Sequence, residues 1–377
     1  MISAHPSRPE HRATVLLFGI TILLGCISCF GPGEHIDLNV PDAAPDASAD
    51  SGIGAFIAFR LDTTAAGIPI EEAQTDFPLL LRLNENLVDF NTSPAEGEGI
   101  SVTDSTGTLL AHQIELWDAE AASALVWIRI PRVEPNDETQ QIRLYLTPTT
   151  PQDPPTDVFP SSFESVLHLS EPGNNLLGGY TDASESGYPG TGVNRIPSDR
   201  VDSVIGRGAR FANESYIALR DFDAAPEATT LSLWFTADTS DGELVSLKDS
   251  VILRLDAANQ AVIGKFYDGL DWREVSAALP STDAPMHVLY TVNPVAHTQV
   301  LYLDAVRAAS SGYKGDIDYS VGYTDATIGV HPEEDRHFFT GVMDEVRIEA
   351  ESRSDDWVKL CYENQRPDRV TPWPVPE

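Results

Sequence analysis

Positive charge is scarce in this chain: 24 Lys and Arg stand against 58 Asp and Glu, for a formal net charge of -34. A surface this negative repels phosphate backbones, so nucleic acid is not expected as a partner. The carboxylates read instead as a solvated, self-repelling surface that keeps an extracellular protein soluble. Cysteine is nearly absent. Cys26, Cys29 and Cys361 are the only three, too few and too scattered for a disulfide scaffold. Cys361 falls in an apolar helical pattern and reads as a small buried hydrophobe. Long apolar runs are also missing. A spanning helix needs roughly 20 apolar residues, and the one candidate, Val15 to Leu24, is cut short by Gly25 and Cys26. Catalytic signatures are lacking as well: no Gly-x-Ser-x-Gly elbow, no phosphate-binding glycine loop and no His-Glu-x-x-His pair occurs.

What is present begins with an address. Arg8 and Arg12 ahead of the apolar run give the basic-then-apolar order of a secretory signal over residues 1–25. Residues 26–55 follow as a spacer: from Gly31 to Ala55 there is no Lys or Arg, and Pro, Ala, Asp, Ser and Gly dominate. Such a segment cannot bury enough apolar surface to order itself, and its charge and prolines favour an extended acidic stalk.

Short β-branched and aromatic segments then recur between turn residues, among them Phe56 to Leu61, Phe77 to Leu83, Leu109 to Trp117 and Leu125 to Ile130. This grammar predicts an all-β chain. Pro148, Pro151, Pro154 and Pro155 mark a connector, with one β-domain over residues 56–150 and a second over 159–367, before a tail at 368–377. Nine or more strands in the second imply a sandwich or jelly roll. One short helix is expected near the end, capped by Ser354, with Asp355 and Asp356 at its positive end and Trp357, Leu360 and Cys361 on one face.

Three resemblances sharpen this reading. Leu23-Leu24-Gly25-Cys26 resembles the lipobox of bacterial lipoproteins, which implies that Cys26 is lipidated and anchors the chain to a membrane. Ile27 in place of an Asp retention signal implies the outer membrane. Gly341-Val342-Met343-Asp344-Glu345-Val346-Arg347-Ile348 resembles the closing strand of laminin-G-like, concanavalin A-like jelly rolls, supported by Gly208-Ala209-Arg210-Phe211 and Leu233-Trp234-Phe235. Met286-His287 replaces the family's Trp-His pair, and Ala305 its usual Gly. The first β-domain, through Asp76-Phe77-Pro78, Ile114-Glu115-Leu116-Trp117-Asp118 and Val126-Trp127-Ile128-Arg129-Ile130-Pro131, resembles the DUF2341 family, which implies no activity.

Two sites are expected. Tyr267, Asp268, Asp271 and Trp272 surround a hairpin turn and supply an aromatic face with polar neighbours, the requirements of sugar recognition; a Trp packed into the core is the competing reading. Asp182 and Asp344, by resemblance, are candidate ligands of a structural calcium, the one cofactor the sequence raises; Asp344 serves equally well as an acceptor for buried amides. No catalytic pair is found, because the Glu-x-Asp-x-x-Glu spacing of related glucanases is missing and alternation sends Asp344 and Glu345 to opposite faces. His331-Pro332-Glu333-Glu334-Asp335-Arg336-His337 reads as an exposed charged loop rather than a metal site. The expected function is a lipid-anchored, surface-exposed protein that binds a carbohydrate or an extracellular protein. A polysaccharide-acting enzyme or its accessory subunit, and a purely structural envelope protein, are the alternatives. Mass spectrometry of the mature chain is expected to show an acylated Cys26, and Cys26→Ala to release the protein from membranes on detergent-free washing; an unacylated N-terminus contradicts the anchor.

Overall fold

The computed structural model describes residues 56–91, 95–146, 155–280, 284–320, 322–333, 335–369 and 372–375. The expected signal, Cys26 and the stalk lie outside the described residues. Seven strands come first: β1 (Phe56–Leu61), β2 (Gln74–Asn84), β3 (Ser101–Asp104), β4 (Leu109–Leu110), β5 (His112–Asp118), β6 (Ser123–Val133) and β7 (Gln140–Tyr145). Then come β8 (Phe163–Leu167), β9 (Gly190–Val193), β10 (Arg200–Asp202), β11 (Arg207–Phe211), β12 (Tyr216–Leu219), β13 (Thr229–Ala237), β14 (Gly242–Leu247), β15 (Val251–Asp256) and β16 (Ala261–Tyr267). The chain closes with β17 (Trp272–Ala278), β18 (Met286–Asn293), β19 (Thr298–Leu303), β20 (Val306–Gly312), β21 (Ala326–Ile328), β22 (Gly341–Glu349), helix α1 (Asp355–Gln365) and β23 (Trp373–Pro374).

The first half pairs a three-stranded sheet, β2-β6-β5, with a sheet in the order β23-β1-β7-β3-β4. Leu125 to Ile130 forms the middle of β6; its apolar run Leu125 to Ile128 is buried on both faces, and Arg129 is half-buried. Leu109 to Trp117 is not one strand: the chain breaks at Ala111, and β4 and β5 enter different sheets. The second half is a jelly roll. One sheet runs β10-β11-β22-β13-β18-β19-β20, with β8 also paired to β22, and the other runs β17-β16-β15-β14-β21-β12-β9. Alternating residues such as Leu233, Leu253, Phe266, Tyr290 and Val346 fill the space between them.

The two halves share a core. Phe77, Trp127 and Val133 of the first join Phe159, Phe163, Trp234, Trp357 and Cys361 of the second in one buried cluster. Helix α1 forms where expected, with the Ser354 hydroxyl accepting the Trp357 N–H at 3.1 Å. Its Trp357 ring meets Phe77 edge-on at 5.2 Å. Cys361 is buried there, and burial pushes its thiol up to about 12, which removes thiolate chemistry at neutral pH.

The edge of β2 is finished by this helix. The Asn364 side chain accepts the Leu80 N–H at 2.7 Å and donates to the Leu80 carbonyl at 2.9 Å, so one amide stands in for a neighbouring strand. Arg82 of β2 donates to the Gln365 carbonyl at 2.5 Å, and Asp356 accepts the amides of Glu71 and Glu72, each at 2.8 Å.

Alternation fails at one informative place. The β13–β22 register shifts between Ser232 and Trp234, and Glu345 takes a positive φ of 54°. This β-bulge inserts one residue, so Asp344, Glu345, Arg347 and Glu349 all turn towards the first half while Met343, Val346 and Ile348 point into the jelly-roll core. The expectation that Asp344 and Glu345 face opposite ways is therefore corrected. Asn364→Ala is expected to cost about 3 kcal/mol in urea unfolding, because it leaves a buried N–H and C=O of Leu80 without partners; a change below about 0.5 kcal/mol would show that this edge is not held by the helix.

Candidate functional site

The first half and α1 cover the outer side of the β22-containing sheet, so the outward face of the other sheet is the one available to ligands. Strand pairing places Ser246, Ile252, Lys265 and Glu274 in a row across β14 to β17, with Glu243 opposite Arg254 and Tyr267 opposite Trp272. Leu253, Phe266 and Val275 take the alternate positions and fill the core. Trp272 stands on the edge strand with 38% of its surface exposed. It is a surface residue, not a core one.

The hairpin brings the two aromatic candidates together. The Tyr267 and Trp272 rings lie 5.6 Å apart at 53°, and Lys265 Nζ sits 4.2 Å from the Trp272 centroid, a cation–π contact that fixes the indole. Asp268 has a different role. Its carboxylate accepts the amides of Asp271 at 2.7 Å and Leu270 at 2.9 Å and the Arg273 Nε at 2.6 Å. The Asp271 amide, with these other donors, holds its carboxyl below the usual carboxylate range. Asp268 thus shapes the turn, while Asp271 is exposed beside it.

Further across the same sheet lie charges that sequence reasoning missed. Glu243 is 1% exposed, and burial pushes its carboxyl up to about 7 against the pull of Arg254 and Lys265. Its Oε2 and the hydroxyl of Ser246 are buried without a hydrogen-bond partner. Burial also lowers the Lys265 ammonium, and Asp249 is raised for the same reason. Residues on either side of position 334 pack over this end of the sheet, with the His337 carbonyl accepting the Glu243 N–H at 2.9 Å and Phe338 joining Tyr216 and Val330. His331 is not exposed as expected: it is 8% accessible, Arg336 Nη2 lies 3.3 Å from its Nε2, and burial with Arg336 pushes it down to about 4. The only sequence cue to this cluster was a polar residue at alternate positions of otherwise apolar strands.

The calcium candidates occupy hydrogen-bonded settings. Asp182 Oδ1 accepts the amides of Val166 and Ser184, each at 2.9 Å, and Oδ2 that of Tyr188 at 2.7 Å. Asp344 Oδ2 accepts the Ile205 N–H at 2.8 Å, and burial raises its carboxyl well above the usual range. Among the described residues, one group of three ligand-type side chains converges, Glu115, His168 and Glu345, and neither aspartate belongs to it.

Family comparison follows this geometry. Residues 211–359 match the concanavalin A-like lectin/glucanases superfamily, and residues 96–163 match DUF2341, a domain of unknown function. The two matches fall in the expected order. Several solved structures are similar at low identity. Domain 4 of AbnA, an extracellular GH43 arabinanase from Geobacillus stearothermophilus in complex with arabinotriose, is 19% identical with a TM-score of 0.42, over 52% of this chain and 97% of that one. The binding domain of Paraclostridial Mosquitocidal Protein 1 is 14% identical (TM-score 0.39; 52% of each chain). That of Botulinum Neurotoxin DC, in complex with SialylT, is 10% identical (TM-score 0.39; 55% and 52%). The match spans about half the length of those two toxin domains. No curated protein matches this chain.

Asp182→Ala removes the acceptor of three amides and is expected to lower stability by about 2 kcal/mol in urea unfolding. The same loss measured in chelator assigns the residue to the fold; a loss that vanishes in chelator assigns it to calcium.

Proposed function

We propose that this chain is an exported, lipid-anchored binding protein of the cell envelope, held through Cys26 on the outer membrane, whose laminin-G-like half takes up a glycan on its open sheet face. The match to a concanavalin A-like family supports a binding role. The observation that carries the glycan reading is the half-exposed Trp272 beside Tyr267: an aromatic surface braced by Lys265, with Asp271 and Glu274 around it. An indole face suits the C–H side of a sugar ring, and flanking carboxylates accept from its hydroxyls. The acidic surroundings favour a neutral saccharide over an anionic one. We read the face as holding its ligand without turning it over, since the Glu-x-Asp-x-x-Glu spacing of related glucanases is missing from the sequence.

The test is a glycan array with the chain and its Trp272→Ala variant. We expect binding to neutral glycans that weakens about tenfold or more in the variant, the equivalent of losing one stacked ring. Undiminished binding by Trp272→Ala removes the site from this face, and release of reducing ends from an array-positive polysaccharide replaces binding with hydrolysis.

A further inference from the structure

Two β-bulges, one in each half, aim glutamates at the same buried point. The β5–β6 register shifts between Ile114 and Leu116, which makes Glu115 the inserted residue, as Glu345 is in β22. His168, just past β8, stands between them. Its Nδ1 lies 2.7 Å from Glu345 Oε2 and 3.7 Å from Glu115 Oε2. The imidazole stacks on Trp127 at 5.8 Å and 11°, and Trp127 Nε1 donates to Glu115 Oε2 at 2.7 Å. Arg347 donates to Glu345 Oε1 from Nη2 at 2.8 Å and Nε at 3.1 Å. Donors occupy both oxygens of Glu345 and Oε2 of Glu115, which makes the cluster an ion-pair network.

Charged and titratable groups surround this network. Arg82 faces it from β2, Gln113 and Glu115 from β5, Trp127 from β6, Asp344, Glu345 and Arg347 from β22, His287 from β18 and Cys361 from α1. Glu349, next along β22, is answered separately by Arg353 at 2.5 Å. Burial raises Asp344 well above the usual carboxylate range and keeps it neutral, so Glu115 and Glu345 face the guanidiniums of Arg82 and Arg347, with the His168 imidazole set between the two glutamates. A buried carboxylate is costly unless it is paired, and a His168 imidazolium is the group placed within reach of both glutamates.

We propose that His168 is a proton-loaded clasp: its imidazolium ties Glu115 of the first half to Glu345 of the second, and loss of that proton loosens the two halves from each other. Burial alone would lower this imidazole, but Glu345 and Glu115 outweigh it and push it from 6.5 up to about 9. A raised value means that the native chain holds the proton after the unfolded chain has released it. The stability that this proton contributes is therefore complete below about pH 6.5 and is lost as pH rises through about 9. Glu115, raised by burial to about 7, is ionised only above that value, so its own link to the imidazolium is complete between about 7 and 9, whereas Glu345, held below its ordinary value against burial by His168 and Arg347, is ionised throughout. His287 and His331, pushed down to about 3 and about 4 by burial, are neutral throughout that upper window and do not contribute.

The test uses the full chain. Histidine-labelled NMR should place the His168 titration near pH 9, and hydrogen exchange between about pH 7.5 and 9.5, corrected for intrinsic rates, should accelerate at the seam amides of Leu80 and Ile205 by on the order of tenfold or more, ahead of Leu253 in the jelly-roll core. His168→Gln should abolish that pH dependence. Should it fail to fold, Glu115→Gln carries the test by shifting the His168 midpoint downward. A midpoint near 6.5, an unmoved midpoint in Glu115→Gln, or seam exchange indifferent to pH overturns the clasp.

Discussion

The structure depends on one buried seam in which a charged cluster is enclosed by aromatic rings. Trp127, Phe159, Phe163 and Trp357 exclude water from the ground between the halves, and within it Arg347 lies 4.9 Å from the Trp127 centroid and Arg353 3.6 Å from that of Trp357. Enclosing ions is expensive, and replacing such networks with apolar residues is often neutral or stabilising. The seam is tolerable because Glu345 is paired with Arg347 and Glu349 with Arg353, and both guanidiniums also lie on rings. What it confers is register: bulges at Glu115 and Glu345 must both form before the network closes, so a slipped strand in either half leaves a charge stranded.

That seam decides which surface is left for function. One sheet of the jelly roll is covered by the first half and by α1, while the other carries Trp272, Tyr267 and Lys265 outward on adjacent strands. The DUF2341-like half, to which no activity is attached, thus acquires a physical role. It seals the reverse side of the laminin-G-like half, and its own β2 edge is completed by Asn364 of the second half. Neither half presents a finished surface without the other.

Much of this was legible in the sequence, and the exceptions have specific causes. The Ser354 cap, the Trp357-Leu360-Cys361 face and the buried run Leu125 to Ile128 depend on local spacing, which sequence displays directly. Glu345 defeated the alternation rule because a bulge is fixed by pairing with β13, a partner more than a hundred residues away in the chain. Trp272 was undecidable because strand position, central or edge, is a property of the sheet; the same indole in β15 would be buried. The Glu243 and Lys265 cluster left only a faint trace, since their meeting arises from the lateral order β14-β15-β16. The convergence of Glu115 and His168 with Glu345 left none, because it exists only once two sandwiches have docked.

The central claim is that the two halves fold as one cooperative body through the shared core. Scanning calorimetry of the chain at pH 6.5 tests it most directly. The account predicts one transition whose calorimetric and van't Hoff enthalpies agree. Two resolved transitions, or a calorimetric enthalpy near twice the van't Hoff value, would mean that the halves unfold independently and would contradict it.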